Sequence, residues 1–292
     1  MTKKKKNPVP LAYRLIQWSF PKLEFFAQPL ANRWSIKLFF TPMRFKTPDK
    51  ELQAESSAEK YSVVVDNQRI QCYSWGSGPV IIMVHGWSGR GTQFSSFIEP
   101  LVNKGYKVVT FDGPAHGQSV GKRTDIPEFG GTLLEVAKPY KDIRAVIAHS
   151  FGGLVSLYAM EKGLAARTLI NIGSPAISDA IISDFLKRIN GSPKVGHYFK
   201  NYIVKKFGRS FDEFSGLKLV KKVSDLKLLL VHDEKDYDVT IEHPYAMKGA
   251  RPETDLFITS GLGHRKILRD KEVIDHCISF IEDAHEPVLV GV

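Results

Sequence analysis

A chain of 292 residues with 43% hydrophobic and 25% charged residues has the composition of a globular protein, not of a disordered or fibrous one. That length supports a core stable without staples. The two cysteines, Cys72 and Cys277, read as neither a disulfide framework nor a metal motif and point to a reducing, cytoplasmic setting. The net charge of +10 is uneven: residues 1–50 carry eleven Lys/Arg against two acids, residues 176–222 carry ten against four, and the remainder is mildly acidic.

The chain opens on Lys3–Lys6, but Pro8, Pro10, Arg14, Pro21 and Lys22 interrupt any apolar run, which argues against a signal peptide. No stretch approaches the roughly 20 apolar residues that span a bilayer. Nine aromatics lie within the first fifty residues. With the lysines, they fit either a membrane-surface segment or a helical arm packed on the body of the protein. Nucleic-acid binding is disfavoured, because no recognised module accompanies the charge. Thr47–Lys60 is polar and reads as a linker.

Strand-like runs follow at Tyr61–Val65, Ile70–Trp75, Val80–Val84, Lys107–Phe111, Ala145–Ala148, Thr168–Ile172, Lys227–Val231 and Asp255–Thr259. The first two, joined by Asp66-Asn-Gln, predict an antiparallel edge hairpin. The later ones are almost continuously apolar, as parallel strands buried on both faces are. Helical patterns such as Phe94–Asn103 and Leu154–Lys162 separate them, so the alternation predicts an α/β fold with a mostly parallel sheet. Between Pro175 and Lys227 no strand pattern occurs, and Ala180–Ile189 and Tyr198–Phe207 are amphipathic. The expected organisation is a basic aromatic arm and linker over 1–57, core halves over 58–175 and 223–292, and a helical insertion over 176–222.

Ser150 sits where an apolar strand, Ala145–Ala148, meets a helical stretch from Leu154, with Gly152 and Gly153 between. A serine at such a strand–turn–helix apex presents its hydroxyl at a helix N-terminus. A free hydroxyl is a poor nucleophile and needs a base held by a third group. The loop after Lys227–Val231 supplies Asp233, Asp236 and Asp238, and the loop after Asp255–Thr259 supplies His264. His264 is the candidate base. The backbone N–H groups of Phe151 and Trp87 are the candidate oxyanion donors. Gly86-Trp-Ser-Gly-Arg-Gly91 fails as a phosphate loop because no lysine follows, and no Cys/His cluster has zinc spacing.

Over roughly residues 60–285 the chain resembles the α/β-hydrolases, in the serine esterase and lipase-like branch. The resemblance rests on the Ser…Asp…His order, on His85-Gly86-Trp87 after Val80–Val84, on Asp112-Gly-Pro-Ala-His-Gly-Gln-Ser119, on His232-Asp-Glu-Lys-Asp236 and on Gly263-His264. It departs in Ala148, where the family most often has glycine. Leu38–Pro42 also resembles a leader found in a largely uncharacterised bacterial branch. The resemblance implies an eight-stranded sheet with a small helical cap inserted after strand six. It also implies a triad of Ser150, Asp236 and His264, with Asp236 favoured over Asp233 and Asp238, and substrate contacts from His85, Gly86, Trp87 and Phe151. The implied activity is hydrolysis of a small-molecule carboxylic ester with no metal or cofactor. Thioesters, lactones and amides are open on the same triad, and so is a non-catalytic binding or membrane-surface role. Dehalogenase and epoxide-hydrolase chemistry is disfavoured, since those relatives carry aspartate where Ser150 stands.

Overall fold

A computed structural model describes residues 11–285; the N-terminal lysine run lies outside the described residues. The chain divides into two compact units. Among the described residues, one gathers the chain up to Phe40 with Ser178–Glu213, and the other gathers Thr41–Ile177 with the chain from Phe214 onward.

The second unit is built on one sheet. Among the described residues its strands are β1 (Glu59–Val65), β2 (Gln68–Trp75), β3 (Val80–Val84), β4 (Lys107–Phe111), β5 (Ile143–His149), β6 (Thr168–Ile172), β7 (Lys227–Asp233) and β8 (Asp255–Thr259). Their spatial order is β1-β2-β4-β3-β5-β6-β7-β8. β1 and β2 form the expected hairpin. Asp66 and Asn67 take φ of 47° and 61°, the left-handed pair that a tight two-residue hairpin turn requires. β2 also pairs antiparallel with β4, and every later pairing is parallel.

Side-chain alternation gives the sheet two buried faces. Ile82, Val84, Val146 and Ala148 join the helices Ile126–Ala137 and Phe151–Glu161 on one side. Ile81, Met83, Ala145 and Ile147 join Ser95–Asn103 and Lys271–His285 on the other. This layering carries β5 and its following turn to the middle of the strand order, beside the ends of β3, β6 and β7.

Thr47–Lys60 is not a linker. Asp49–Ser56 is a helix, and β1 begins at Glu59. The helix is anchored by polar groups: Trp75 Nε1 donates to the Ala54 carbonyl at 3.2 Å, and buried Glu51 pairs with Arg90 at 3.2 Å. Hydropathy does not reveal an anchor made of a carboxylate and a carbonyl. Residues 41–57 therefore belong with the sheet, as do residues 214–222 of the expected insertion.

In the first unit, the helices Leu11–Phe26 and Gln28–Phe40 pack with the insertion helices Ser178–Ile189 and Pro193–Phe207. Phe20, Ala31, Ile189 and Val195 form its interior. Phe39 meets Phe185 and Phe199 with ring centroids 5.0 and 4.4 Å apart. Glu24 accepts hydrogen bonds from the Ser192 backbone, at 3.0 Å, and from its hydroxyl.

Arg251 fixes the chain where it returns to β7. Its guanidinium donates to the carbonyls of Val220 (3.2 Å), Val223, Ser224 (2.8 Å) and Leu226 (2.9 Å). Arg251→Ala strands these carbonyls, so a loss of about 3 kcal/mol is expected in denaturant unfolding.

Candidate active site

Ser150 follows the last residue of β5 directly, with φ 54° and ψ −122°. A left-handed φ is strained for any residue with a Cβ, and such strain persists only where the surroundings hold it. Here the Ser150 N–H donates to Ile172 O of β6 at 2.8 Å, and its carbonyl accepts from Gly153 N at 3.0 Å and Ser174 Oγ at 2.8 Å. Close packing leaves no room for neighbouring side chains. A Cβ on Gly152 would stand 2.2 Å from the Val84 carbonyl, and one on Gly86 would stand 2.9 Å from Ser150 Cβ. These glycines let the β3 loop and the helix N-terminus close around the serine.

The acid and the histidine arrive from the ends of β7 and β8. His264 Nε2 lies 3.0 Å from Ser150 Oγ, and His264 Nδ1 lies 2.7 Å from Asp236 Oδ2. With Nδ1 protonated toward the carboxylate, Nε2 is the acceptor for the serine hydroxyl. The other Asp236 oxygen accepts from the backbone N–H groups of Asp238 and Val239, both at 2.9 Å. Burial alone would raise the Asp236 carboxyl. The His264 hydrogen bond and charge, with Val239 N–H, outweigh burial and hold it below the usual range.

The rival aspartates fall elsewhere. Asp233 accepts from Lys235 N, Thr259 Oγ1, Gly261 N and Leu262 N, and so fastens the loop that carries His264. Asp238 contributes a backbone N–H to Asp236.

Neither the Phe151 nor the Trp87 backbone N–H has an acceptor among the described residues. Phe151 opens the helix behind Ser150, where the first N–H groups have no intrahelical partner. The Trp87 and Phe151 rings meet edge-on at 5.1 Å. His85 corrects an expectation. It is fully buried, its Nδ1 donates to Gly86 O at 2.8 Å and its Nε2 accepts from Gly113 N at 2.9 Å. Its ring is spent on holding the loop and has no face left for a substrate.

Three supports hold these loops in place. His149 Nε2 donates to the His264 carbonyl at 2.8 Å, and its Nδ1 accepts from Gln93 Nε2 at 3.2 Å. Burial, and then the neighbouring His264, push His149 down to about 3, so it stays neutral and serves as a fixed strut. His116 does the same for the loop after β3. Its Nε2 accepts from Ser88 N at 3.0 Å, and burial pushes it down to about 4. The third support is a strap from residues 43–51. Met43 N donates to Ser88 Oγ at 2.9 Å, Arg90 grips the Phe45 and Lys46 carbonyls and Glu51, and Arg44 grips the Gly117 and Ser119 carbonyls. The only trace of such a strap in a sequence is scattered arginines, because its acceptors are main-chain oxygens.

The model of the alpha/beta hydrolase family matches residues 81–276, and the chain belongs to that family. A non-heme chloroperoxidase of Burkholderia pyrrocinia is 31% identical over 121 residues, 40% of each chain. The 2-hydroxy-6-oxononadienedioate/2-hydroxy-6-oxononatrienedioate hydrolase of Cupriavidus pinatubonensis is 27% identical over 156 residues, 47% of this chain and 53% of its own. The chain spans a third to about half of the length of the curated relatives it matches. An esterase of Pyrococcus furiosus superposes with a TM-score of 0.63 at 20% identity, over 84% of this chain and 97% of its own. The thioesterase domain from a curacin biosynthetic pathway superposes at 0.58 with 16% identity, over 77% of this chain and 99% of its own. At such identities the likeness is one of fold.

Two outcomes follow from the supports. In the unfolded chain His116 titrates near 6.5, whereas the folded protein holds it down to about 4. Between these values the unfolded state binds a proton that the folded state refuses, so this stability is present above pH 6.5 and lost as pH falls toward 4. His116→Gln is expected to make the unfolding free energy less steep in pH over that window by about one proton. Arg90→Gln, which loosens the strap on the loop after β3, is expected to lower kcat on the order of tenfold or more with KM nearly unchanged for any p-nitrophenyl ester that the wild type turns over, read by steady-state kinetics.

Proposed function

We propose that this chain is a serine hydrolase that cleaves a small-molecule carboxylic ester through an acyl-enzyme, with Ser150 as nucleophile, His264 as base and Asp236 as its orienting acid. The observation that carries the reading is the unbroken hydrogen-bonded line from Asp236 Oδ2 through His264 to Ser150 Oγ, at 2.7 and 3.0 Å.

His264 Nε2 takes the hydroxyl proton as Ser150 Oγ attacks the carbonyl carbon, and Asp236 stabilises the imidazolium. The negative charge on the carbonyl oxygen meets the N–H groups of Phe151 and Trp87, which are fixed in place before the reaction begins. His264 then gives its proton to the leaving alcohol. Water, deprotonated by the same nitrogen, releases the acid. The relatives' names, chloroperoxidase in one case and a hydrolase of oxo-diacids in another, attach different reactions to one family. The ester assignment therefore rests on the serine line and not on those names. In this reading the basic leader keeps the enzyme in peripheral contact with lipid, and nucleic acid is not a partner.

The test is labelling by a fluorophosphonate together with hydrolysis of p-nitrophenyl esters from short to long acyl chains. Wild type is expected to label and turn over. Ser150→Ala is expected to do neither, with kcat down by about 10⁴-fold or more, and His264→Ala to fall comparably. A folded wild type that neither labels nor turns over any ester of the series overturns the reading.

A further inference from the structure

The leader helices have two opposite faces. The inner one is buried: Phe20, Ala31 and Phe40 pack within the first unit, together with Ile189 and Val195 of the insertion helices. The outer one is aromatic and open. Phe25 and Phe26 are 83% and 82% exposed and Trp18 is 65% exposed, with Leu15 exposed on the same helix and Leu30 and Trp34 on the next. The spacing of 15, 18, 22 and 25/26 is that of a single helical stripe, and 30 and 34 repeat it one turn apart. Large apolar side chains scattered singly over a surface need no explanation, but a contiguous set on one helical hairpin does.

Its surroundings are basic. Residues 11–40 hold Arg14, Lys22, Arg33 and Lys37 against one acid, Glu24, which Ser192 already engages. Four more lysines, Lys3–Lys6, precede them in the chain. Lys22 Nζ sits 3.3 Å from the centroid of the Trp18 ring, so charge and aromatic surface occupy one spot. A second copy of this chain fits poorly here, because it would bring two basic faces together. A surface of anionic phospholipid supplies both what the rings need and what the lysines need.

We infer that the outer face of the Leu11–Phe40 hairpin is a docking surface for anionic membranes, with Trp18, Phe25 and Phe26 entering the headgroup boundary and Lys22 and Arg33 meeting lipid phosphates. This rests on the lipid contact of the proposed reading and is independent of the serine chemistry. No helix among the described residues is long and apolar enough to cross a membrane, so the contact is a lateral one. The inner face of the hairpin is built into the insertion helices, so docking the leader also brings the insertion to the membrane.

The test is co-sedimentation of the full chain with vesicles of phosphatidylcholine alone and of equal parts phosphatidylcholine and phosphatidylglycerol, at low and high salt. Binding to the mixed vesicles that high salt weakens is expected, with little binding to phosphatidylcholine alone. The triple variant Trp18→Ala, Phe25→Ala, Phe26→Ala removes only exposed side chains and is expected to keep its melting temperature while binding about tenfold or more weakly. Unchanged binding by this variant overturns the proposal. So does an absence of binding by wild type, or a wild-type dimer that the variant abolishes. Ser150→Ala is expected to bind vesicles as wild type does, so failure of docking and failure of the hydrolase reading are read separately.

Discussion

The constraint on which the rest of the site depends is the close approach of β3 and β5 at their carboxyl ends. These strands are parallel neighbours, with Val84 level with Ala148. Their following turns must therefore pass within van der Waals contact of one another. Glycine at 86 and 152 makes that passage sterically open. The result is a serine held in a left-handed backbone with unpartnered main-chain N–H groups on the helix behind it and on the facing loop. In the proposed reaction such an arrangement costs nothing to assemble at the moment charge develops, because folding has already oriented the dipoles.

Around this centre the protein spends its buried histidines on scaffolding. His85, His116 and His149 each use both ring nitrogens within the chain, and burial keeps them neutral. Only His264, at the end of the strand order and less buried, joins a carboxylate to the serine. The division follows from environment and not from residue type. A buried imidazole loses its charged form to desolvation and is left to hydrogen-bond as a neutral ring. Asp233 and Asp236 divide in the same way. The first is saturated by loop N–H groups, and the second shares its oxygens between two N–H groups and His264.

The leader contributes to both units in different ways. Its helices build the interior of the unit that contains the insertion. The segment that follows straps the loop after β3 and the Asp112–Ser119 turn from outside. The two readings of the basic aromatic leader are thus compatible: one face of the hairpin packs, and the other presents rings and charge to the surroundings.

The inner strands β2–β7 were legible as apolar runs, because burial on both faces leaves a near-continuous hydrophobic signature, whereas the half-exposed edge strands β1 and β8 stood out by their β-branched and aromatic residues. Ser150 was legible because a turn this tight admits only small residues around it. The loops that carry Asp236 and His264 were legible because each follows a strand, and parallel strands deliver their following loops to the same edge of the sheet; the preference for Asp236 over Asp233 and Asp238 came from the family resemblance and not from position. Three features required the tertiary structure. The Asp49–Ser56 helix is anchored by a buried carboxylate and a carbonyl, neither of which alters hydropathy. The strap of Arg44 and Arg90 acts on main-chain oxygens, which every residue has and no sequence pattern marks. The separation of the leader's buried face from its exposed aromatic face depends on which neighbour covers which side, and a list of aromatic residues does not contain that information.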